Sequence, residues 1–374
     1  MTTTQPTPRS GAAKKNVQSL YGTTIYVGAT LPALSQRVID GLAAIAPGAW
    51  VRWLYPMSAL NPQGGSVWNF AQLDDAVARC NKAGVHLFLA LANLPKEVLT
   101  ISAKNGAAVT AGTGDFAPVS YWQRLSAVVA ARYSGQSGHG LIAALGFENE
   151  LYDMHNPRDI QFRYLVPVIA ECAPIIRKLH PSCLLASCAM RRTVAGALDH
   201  YQACLENLFT FDGGIGKDDL DVIDMHAYFG QVPHSPLDST TLRPSITEEV
   251  ATIRGAMASY NSTASLWCTE TGFDIYHDVY EAKKALSLVT PQEQADYLLM
   301  MLRTFHAQGG ACFVYTYDDS GLVRPSRPTY STSPKSIVQT INGVYTEMPA
   351  VAAIKADAAA KGAAKGKPMP NTGA

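Results

Sequence analysis

No uninterrupted apolar run approaches the roughly 20 residues that a membrane-spanning helix needs. Neither sign of charge is in excess: lysine plus arginine and aspartate plus glutamate number 30 each, so no net field draws the whole protein to nucleic acid or to an anionic membrane. The basic residues near the N-terminus have no apolar stretch behind them, which argues against a secretory signal. The seven cysteines are odd in number and form no CxxC pair. Cys183, Cys188, Cys268 and Cys312 sit in apolar runs, which suits buried free thiols in a reducing compartment better than a disulfide framework or a zinc site. There is no HExxH, no close run of histidines and carboxylates, no P-loop and no dinucleotide-binding glycine fingerprint. The expectation is a soluble cytoplasmic product, unless it is released by lysis or has lost a leader. We expect no metal, no cofactor, and neither nucleic acid nor a membrane as partner.

What the chain does have is enough apolar residue, 47% against 16% charged, to bury a large core over 374 residues. Residues 1–17 are rich in Thr, Pro, Gly and Lys and read as a disordered tail, and residues 356–374, rich in Ala, Gly and Lys, as a frayed helix or tether. Residues 18–355 read as one domain.

Within that domain short apolar runs alternate with amphipathic segments. Strands are expected at Tyr21–Ala29, Trp50–Leu54, Val85–Ala92, Leu141–Phe147, Cys183–Ala189, Val222–Tyr228, Ser265–Glu270 and Ala311–Tyr317. The continuous hydrophobicity of the third is what a parallel strand buried on both faces requires. Helices fall between them, at Ser35–Ala46, Asn69–Ala83, Ser120–Tyr133, Asp159–Leu179, Gly196–Asn207, Thr247–Tyr260 and Pro291–Gln308, with a last one from near Glu347. Eight strands separated by helices predict an α/β fold, a single-domain (β/α)8 TIM barrel, with a doubly wound sheet as the competitor.

Two of these strands end in carboxylates. Leu141–Phe147 runs into Glu148, Asn149 and Glu150, and Ser265–Thr269 runs into Glu270, Thr271 and Gly272. In a barrel the chemistry lies at the C-terminal strand ends. A pair of carboxylates across a cleft is the minimal machinery for breaking a glycosidic bond. Here the sequence resembles the clan A retaining glycoside hydrolases, in the neighbourhood of families 5 and 39. The resemblance rests on Asn149-Glu150 after strand four, Trp267-Cys268-Thr269-Glu270-Thr271-Gly272 at strand seven, Val51-Arg52 ending strand two, and His226-Ala227-Tyr228 after strand six. At strand eight, where that clan usually has tryptophan, this chain offers Tyr315 and Tyr317.

The resemblance implies Glu150 as general acid/base and Glu270 as nucleophile, with no cofactor and an oligo- or polysaccharide as substrate. Burial and the charge of Glu270 would keep Glu150 protonated, while Tyr228 and Arg52 would favour an ionised Glu270. Asn149 would hold the hydroxyl beside the reacting carbon, and Arg52, His226 and Tyr228 would line the same cleft. Regular strand alternation puts Glu148 and Glu150 on one side and Asn149 on the other; a break at the strand end brings Asn149 and Glu150 to the cleft together. Glu148 reads as a structural ion-pair partner.

Asn93, after strand three, lines the cleft or makes a turn. Trp53, Tyr55, Trp68, Tyr315 and Tyr317 stack on sugar faces or fill the core, with the sugar role favoured for Tyr315. Arg191 and Arg192 either read an acidic substituent or sit in a solvated loop, and Asp318 and Asp319 are equally open. The segments Pro56–Ser66, Leu94–Pro118 and Phe229–Ser245 are long enough to wall a cleft. The leading expectation is a retaining hydrolase of a β-linked saccharide. An inactive carbohydrate-binding barrel, or a transglycosylase using the same residues, is the alternative.

Overall fold

Strands form where the chain is continuously apolar, and helices where apolar residues recur every three to four positions. The computed structural model describes residues 19–26, 34–101, 116–150, 160–191, 197–214, 217–228, 235–239, 244–275, 289–318, 335–341 and 344–365. The barrel strands are β1 (Tyr21–Tyr26), β2 (Trp50–Leu54), β3 (His86–Leu91), β4 (Ala144–Phe147), β5 (Leu184–Ala186, resuming at Met190–Arg191), β6 (Val222–His226), β7 (Ser265–Thr271) and β8 (Cys312–Val314). All pairings among them are parallel. Neighbouring strands pair in chain order, β8 returns to β1, and Ala186 pairs with Val222 to close the ring between β5 and β6. This is a (β/α)8 barrel, not the open sheet.

The helices outside it are α1 (Gln36–Ile45), α2 (Ala71–Lys82), α3 (Val119–Arg132), α4 (Ile160–Leu179), α5 (Ala197–Thr210), α6 (Ile246–Ser259), α7 (Pro291–Ala307) and α8 (Pro349–Lys365). Their starts are chemically marked. Ser35 caps α1 by accepting from the Val38 N–H. Ser245 with Glu248, and Thr290 with Glu293, form capping boxes at α6 and α7, the latter with Pro291 where its missing N–H costs nothing. No helix among the described residues is long and apolar enough to cross a membrane.

Side-chain alternation sorts the core into two layers. Trp50, Phe88, Ala144, Leu184, Ala186, Val222, Trp267, Ala311 and Phe313 pack together inside the barrel. Val51, Trp53, Leu87, Leu89, Leu145, Leu185, Ile223, Met225, Leu266 and Cys268 point the other way, against the helices. The barrel interior is thus plugged below by aromatic side chains, and polar residues at the same inward parity stand above that plug.

Several boundaries differ from the expectation. β4 starts at Ala144 because Leu141 pairs with Ser134 in an isolated antiparallel bridge. β5 breaks over Ser187–Ala189, where the Ser187 N–H goes across to the Val222 carbonyl. The antiparallel hairpin of β9 (Val338–Ile341) and β10 (Val344–Glu347) was not expected at all. α8 continues through residue 356, where the tail was expected to begin, and buries Asp357. All seven cysteines are buried and none forms a disulfide, as expected. The N-terminal tail and the last nine residues lie outside the described residues.

Candidate active site

Period-two alternation delivers the site. In β6, Val222, Asp224 and His226 share the inward parity; in β2 it is Trp50 and Arg52, and in β7 Trp267 and Thr269. Glu270 follows Thr269 directly and by strict alternation would face the helices. The register of β7 shifts against both neighbours, so His226 pairs with Glu270 and Thr271 with Val314. This irregularity re-aims Glu270 into the barrel mouth, a common use of a bulge beside a functional site. At the end of β4 the backbone also leaves the strand path, with φ of +61° at Glu148 and +48° at Glu150. That break lets Asn149 and Glu150 reach the same cleft.

The side chains then interlock. Arg52, 1% exposed, donates from Nη1 to Glu270 Oε1 at 2.9 Å and from Nη2 to Asn149 Oδ1 at 2.7 Å. The Tyr228 hydroxyl donates to the other Glu270 oxygen, Oε2, at 2.6 Å. Two donors from different strands therefore fix the plane of the Glu270 carboxylate. Burial, and next the charge of Glu270, push the Tyr228 phenol well above its ordinary value, so it stays a donor. His226 Nδ1 lies 2.5 Å from Glu150 Oε1 and 3.5 Å from Glu270 Oε2. Below them, the Thr269 hydroxyl donates to Asp224 Oδ2 at 2.8 Å and lies 3.1 Å from His226 Nε2. Asp224 is 3.9 Å from Arg52 Nε. Burial pushes its carboxyl up to about 7 against the opposing pull of Arg52 and Thr269.

Gly272 completes the turn after Glu270. A Cβ there would sit 2.4 Å from the Tyr315 carbonyl oxygen, so only glycine permits this approach of the β7 and β8 ends. The Tyr315 ring meets the Tyr228 ring edge-on, with centroids 6.3 Å apart, and closes one side of the cleft.

Of the residues expected at the site, Arg52, Asn149, Glu150, His226, Tyr228, Glu270 and Tyr315 come together. Asn93 does not. It is exposed, in a left-handed conformation (φ +52°), and its carbonyl accepts from the Ser58 N–H, which is the turn role. Glu148 makes no ion pair among the described residues, contrary to expectation; desolvation pushes its carboxyl up to about 8. Trp53 and Tyr55 pack edge-to-face in the outer core, and Tyr317 is buried there as well, so none is a sugar platform. Trp68 is half-buried and stacked with Phe70. Asp318 is buried with Arg37 Nη1 3.6 Å away. The Arg191 side chain, Arg192 and Asp319 lie outside the described residues, as do parts of the segments after strands three and six. Pro56–Ser66 contains one helical turn, Met57–Leu60, with Met57 and Leu60 buried.

Asp224 and Thr269 were not picked out from the sequence. The available signal was a polar residue at inward parity inside an apolar strand, two places below His226 and above Trp267. One atom each from Glu150, His226 and Glu270 lie within 4.8 Å of one another, the one group among the described residues with metal-ligand types so close. Both Glu270 oxygens already accept from Arg52 and Tyr228, and the guanidinium opposes a second cation there.

No protein-family model and no curated protein matches the sequence. Solved structures do resemble the fold. A family 39 glycoside hydrolase from Bacteroides cellulosilyticus WH2 has a TM-score of 0.60 at 16% identity, over 91% of this chain and 63% of that one. This chain thus spans less than two thirds of that enzyme's length. A glucosidase from Croceicoccus marinus gives 0.59 at 13% identity, over 92% and 68% of the two chains. Thermotoga maritima Cel5A in complex with cellobiose gives 0.56 at 10% identity, over 91% and 98%. At such low identity the shared property is the architecture: this chain carries the (β/α)8 barrel fold found in these glycoside hydrolases.

Proposed function

We propose that the chain is a retaining glycosidase that cleaves a β-linked oligo- or polysaccharide by double displacement. The observation that carries this reading is the pair Glu150 and Glu270, brought to one cleft from the ends of the fourth and seventh barrel strands with oxygen atoms within 4.8 Å. An upper bound of 4.8 Å between their nearest oxygens is compatible with the roughly 5–5.5 Å between carboxyl groups of retaining enzymes, and lies below the roughly 6.5–9.5 Å that leaves room for water in inverting ones.

In the first step Glu270 attacks the anomeric carbon, the glycosidic C–O bond breaks, and Glu150 gives its proton to the departing oxygen. In the second, Glu150 takes a proton from water as that water attacks the same carbon and releases Glu270. Arg52 and Tyr228 hold the nucleophile in one orientation, so little reorganisation is needed when it attacks. Asn149, anchored by Arg52, is placed to bind the hydroxyl next to the reacting carbon. Tyr315 offers an apolar ring to one face of the sugar.

The test is a screen of aryl β-glycosides and β-linked oligosaccharides, cellobiose first, with wild type, Glu150→Gln and Glu270→Gln. An activated fluorosugar traps the intermediate for mass analysis of the intact protein and its peptides. A retained anomer and an adduct on Glu270 are expected. An inverted product, or an adduct on another residue, overturns the assignment, and binding without turnover across the panel points to the inactive carbohydrate-binding barrel.

A further inference from the structure

Beneath the two glutamates lies a line of buried polar side chains that the double displacement does not use. It runs Asp224, Thr269, His226, Glu150. Asp224 is 1% exposed and Thr269 and His226 are fully buried, so each of these polar groups has given up water and depends on its neighbours. The Thr269 hydroxyl gives its hydrogen to Asp224 Oδ2 at 2.8 Å. A hydroxyl has only one hydrogen, so toward His226 Nε2, 3.1 Å away, the same oxygen is an acceptor. With Asp224 ionised, Nε2 therefore carries a proton. At the other end of the ring, the 2.5 Å contact between Nδ1 and Glu150 Oε1 holds a second proton on one atom or the other.

We propose that Asp224 and Thr269 are positioning residues which, through His226, form a proton relay that governs how long Glu150 keeps its acid proton. The inference rests on Glu150 being the acid/base. The relay conserves atoms and charge. When Glu150 O–H breaks and Nδ1–H forms, Nε2–H breaks, the hydrogen passes to the Thr269 oxygen, and Thr269 passes its own hydrogen to Asp224. One proton has then moved from Glu150 to Asp224 without any group leaving the network. With Asp224 ionised the hydrogen bonds run inward, the imidazole is made more basic at Nδ1, and the Glu150–His226 pair retains its proton to higher pH.

The surroundings favour a proton resting at either end. Asp224 faces Arg52 from β2 and Glu270, Cys268 and Thr269 from β7; His226 faces Glu150 and Glu270. Burial holds the Asp224 carboxyl near 7 despite Arg52, within reach of an imidazole, and its Oδ1 makes no hydrogen bond among the described residues. The scaffold holds the relay in place: the Asp224 N–H donates to Ser187 Oγ at 2.9 Å, and the Thr24 hydroxyl donates to the Thr269 carbonyl.

The experiment compares wild type, Thr269→Val, Thr269→Ser, Asp224→Asn and Glu150→Gln by pH profile on aryl β-glycosides of graded leaving group. Asp224→Asn moves the basic limb of kcat/KM to lower pH by about one unit, the scale of losing a nearby charge, and Thr269→Val, which cuts the hydrogen-bonded path but leaves that charge, moves it the same way by less. The loss falls on poor leaving groups and spares dinitrophenyl glycosides, which need no proton. Thr269→Ser restores the wild-type limb. If Glu150→Gln shows no leaving-group dependence, the acid assignment fails. If it does, while Thr269→Val keeps the wild-type limb, the relay fails. Nitrogen-15 NMR of labelled histidine, with His226 assigned by its loss in His226→Gln, reads the relay without turnover. A protonated Nε2 at pH 8, where Asp224 is ionised, that is lost in Thr269→Val is expected, and an unprotonated Nε2 in wild type at that pH overturns the proposal.

Discussion

The Tyr228 hydroxyl sits 2.6 Å from Glu270 Oε2, while Arg52 holds the opposite oxygen. Tyr228→Phe removes one hydrogen bond to a charged group and leaves the ring in place. Such a bond contributes about 1.5–3 kcal/mol, so kcat/KM on an activated glycoside falls roughly ten- to hundred-fold. The melting temperature stays close to that of wild type, because the edge contact with Tyr315 survives. An unchanged kcat/KM would show that Tyr228 does not orient Glu270 for the proposed reaction.

Arg52 is the counter-charge for the whole mouth of the barrel. It lies at 2.9 Å from Glu270 and 3.9 Å from Asp224, and is itself almost fully buried. Arg52→Met leaves two carboxylates without their cation. Breaking a buried pair in this way costs about 3–5 kcal/mol, seen as a lower urea midpoint. The double variant Arg52→Met, Glu270→Met recovers much of that loss, since the stranded charge goes with it. A double variant no more stable than the single would place the damage in packing.

The barrel was legible because its strands are buried on both faces and read as apolar runs, such as His86–Leu91 and Ser265–Cys268, with amphipathic segments of helical spacing between them. The hairpin at Val338–Glu347 escaped because its second strand is mostly exposed, apolar Val344 and Tyr345 included, and pairing there is set by a neighbour rather than by pattern. The broken fifth strand escaped for a related reason: Ser187–Ala189 is as apolar as a strand, and only the crossing of its N–H to β6 shows the gap. At the site, strand tips ending in Arg52, Glu150, His226 and Glu270 could be read directly. The register shift that turns Glu270 inward could not, since it depends on how two neighbouring strands slide past β7. Asp224 and Thr269 had the right parity but looked like ordinary polar interruptions of a strand. Their meaning comes from the 2.8 Å bond between them, across two elements 45 residues apart.

Glu148 predicts a pH dependence of stability. Its carboxyl is raised to about 8 from an ordinary 4.5 because the fold desolvates it, so the folded state binds a proton that the unfolded state has released. The contribution is fully present below pH 4.5 and is lost as pH rises through about 8. Glu148→Gln removes the dependence. It therefore stabilises the protein at pH 9, on the order of a few kcal/mol at most given the side chain's partial exposure, and changes little at pH 5. Equal denaturant midpoints for variant and wild type at both pH values would refute the desolvation argument.

Asp357 has the opposite sign and ties α8 back to the first barrel strand. Its carboxylate accepts from the Tyr21 hydroxyl at 2.6 Å and from Arg303 Nε at 2.9 Å, with Lys361 Nζ also at 2.9 Å. Burial alone would push this carboxyl up, but hydrogen bonds from Tyr21, Lys361 and Arg303 outweigh it and bring it down to about 2. A depressed carboxyl contributes stability above its unfolded value, near 3.8, and loses it as pH falls through about 2. Asp357→Asn keeps the shape and removes the charge, so at pH 7 it costs about 1.5–3 kcal/mol, the range for hydrogen bonds to a charged group. At pH 2 the two proteins converge, because the wild-type carboxyl is then protonating as well. Thermal melts of both proteins from pH 2 to 8 measure this directly, and a gap that stays constant over that range would mean the contribution is packing alone. Because Arg303 is largely exposed, salt weakens its share of the effect more than that of the buried Tyr21 bond. Repeating the melts in 1 M salt therefore separates the two, with most of the gap at pH 7 expected to persist.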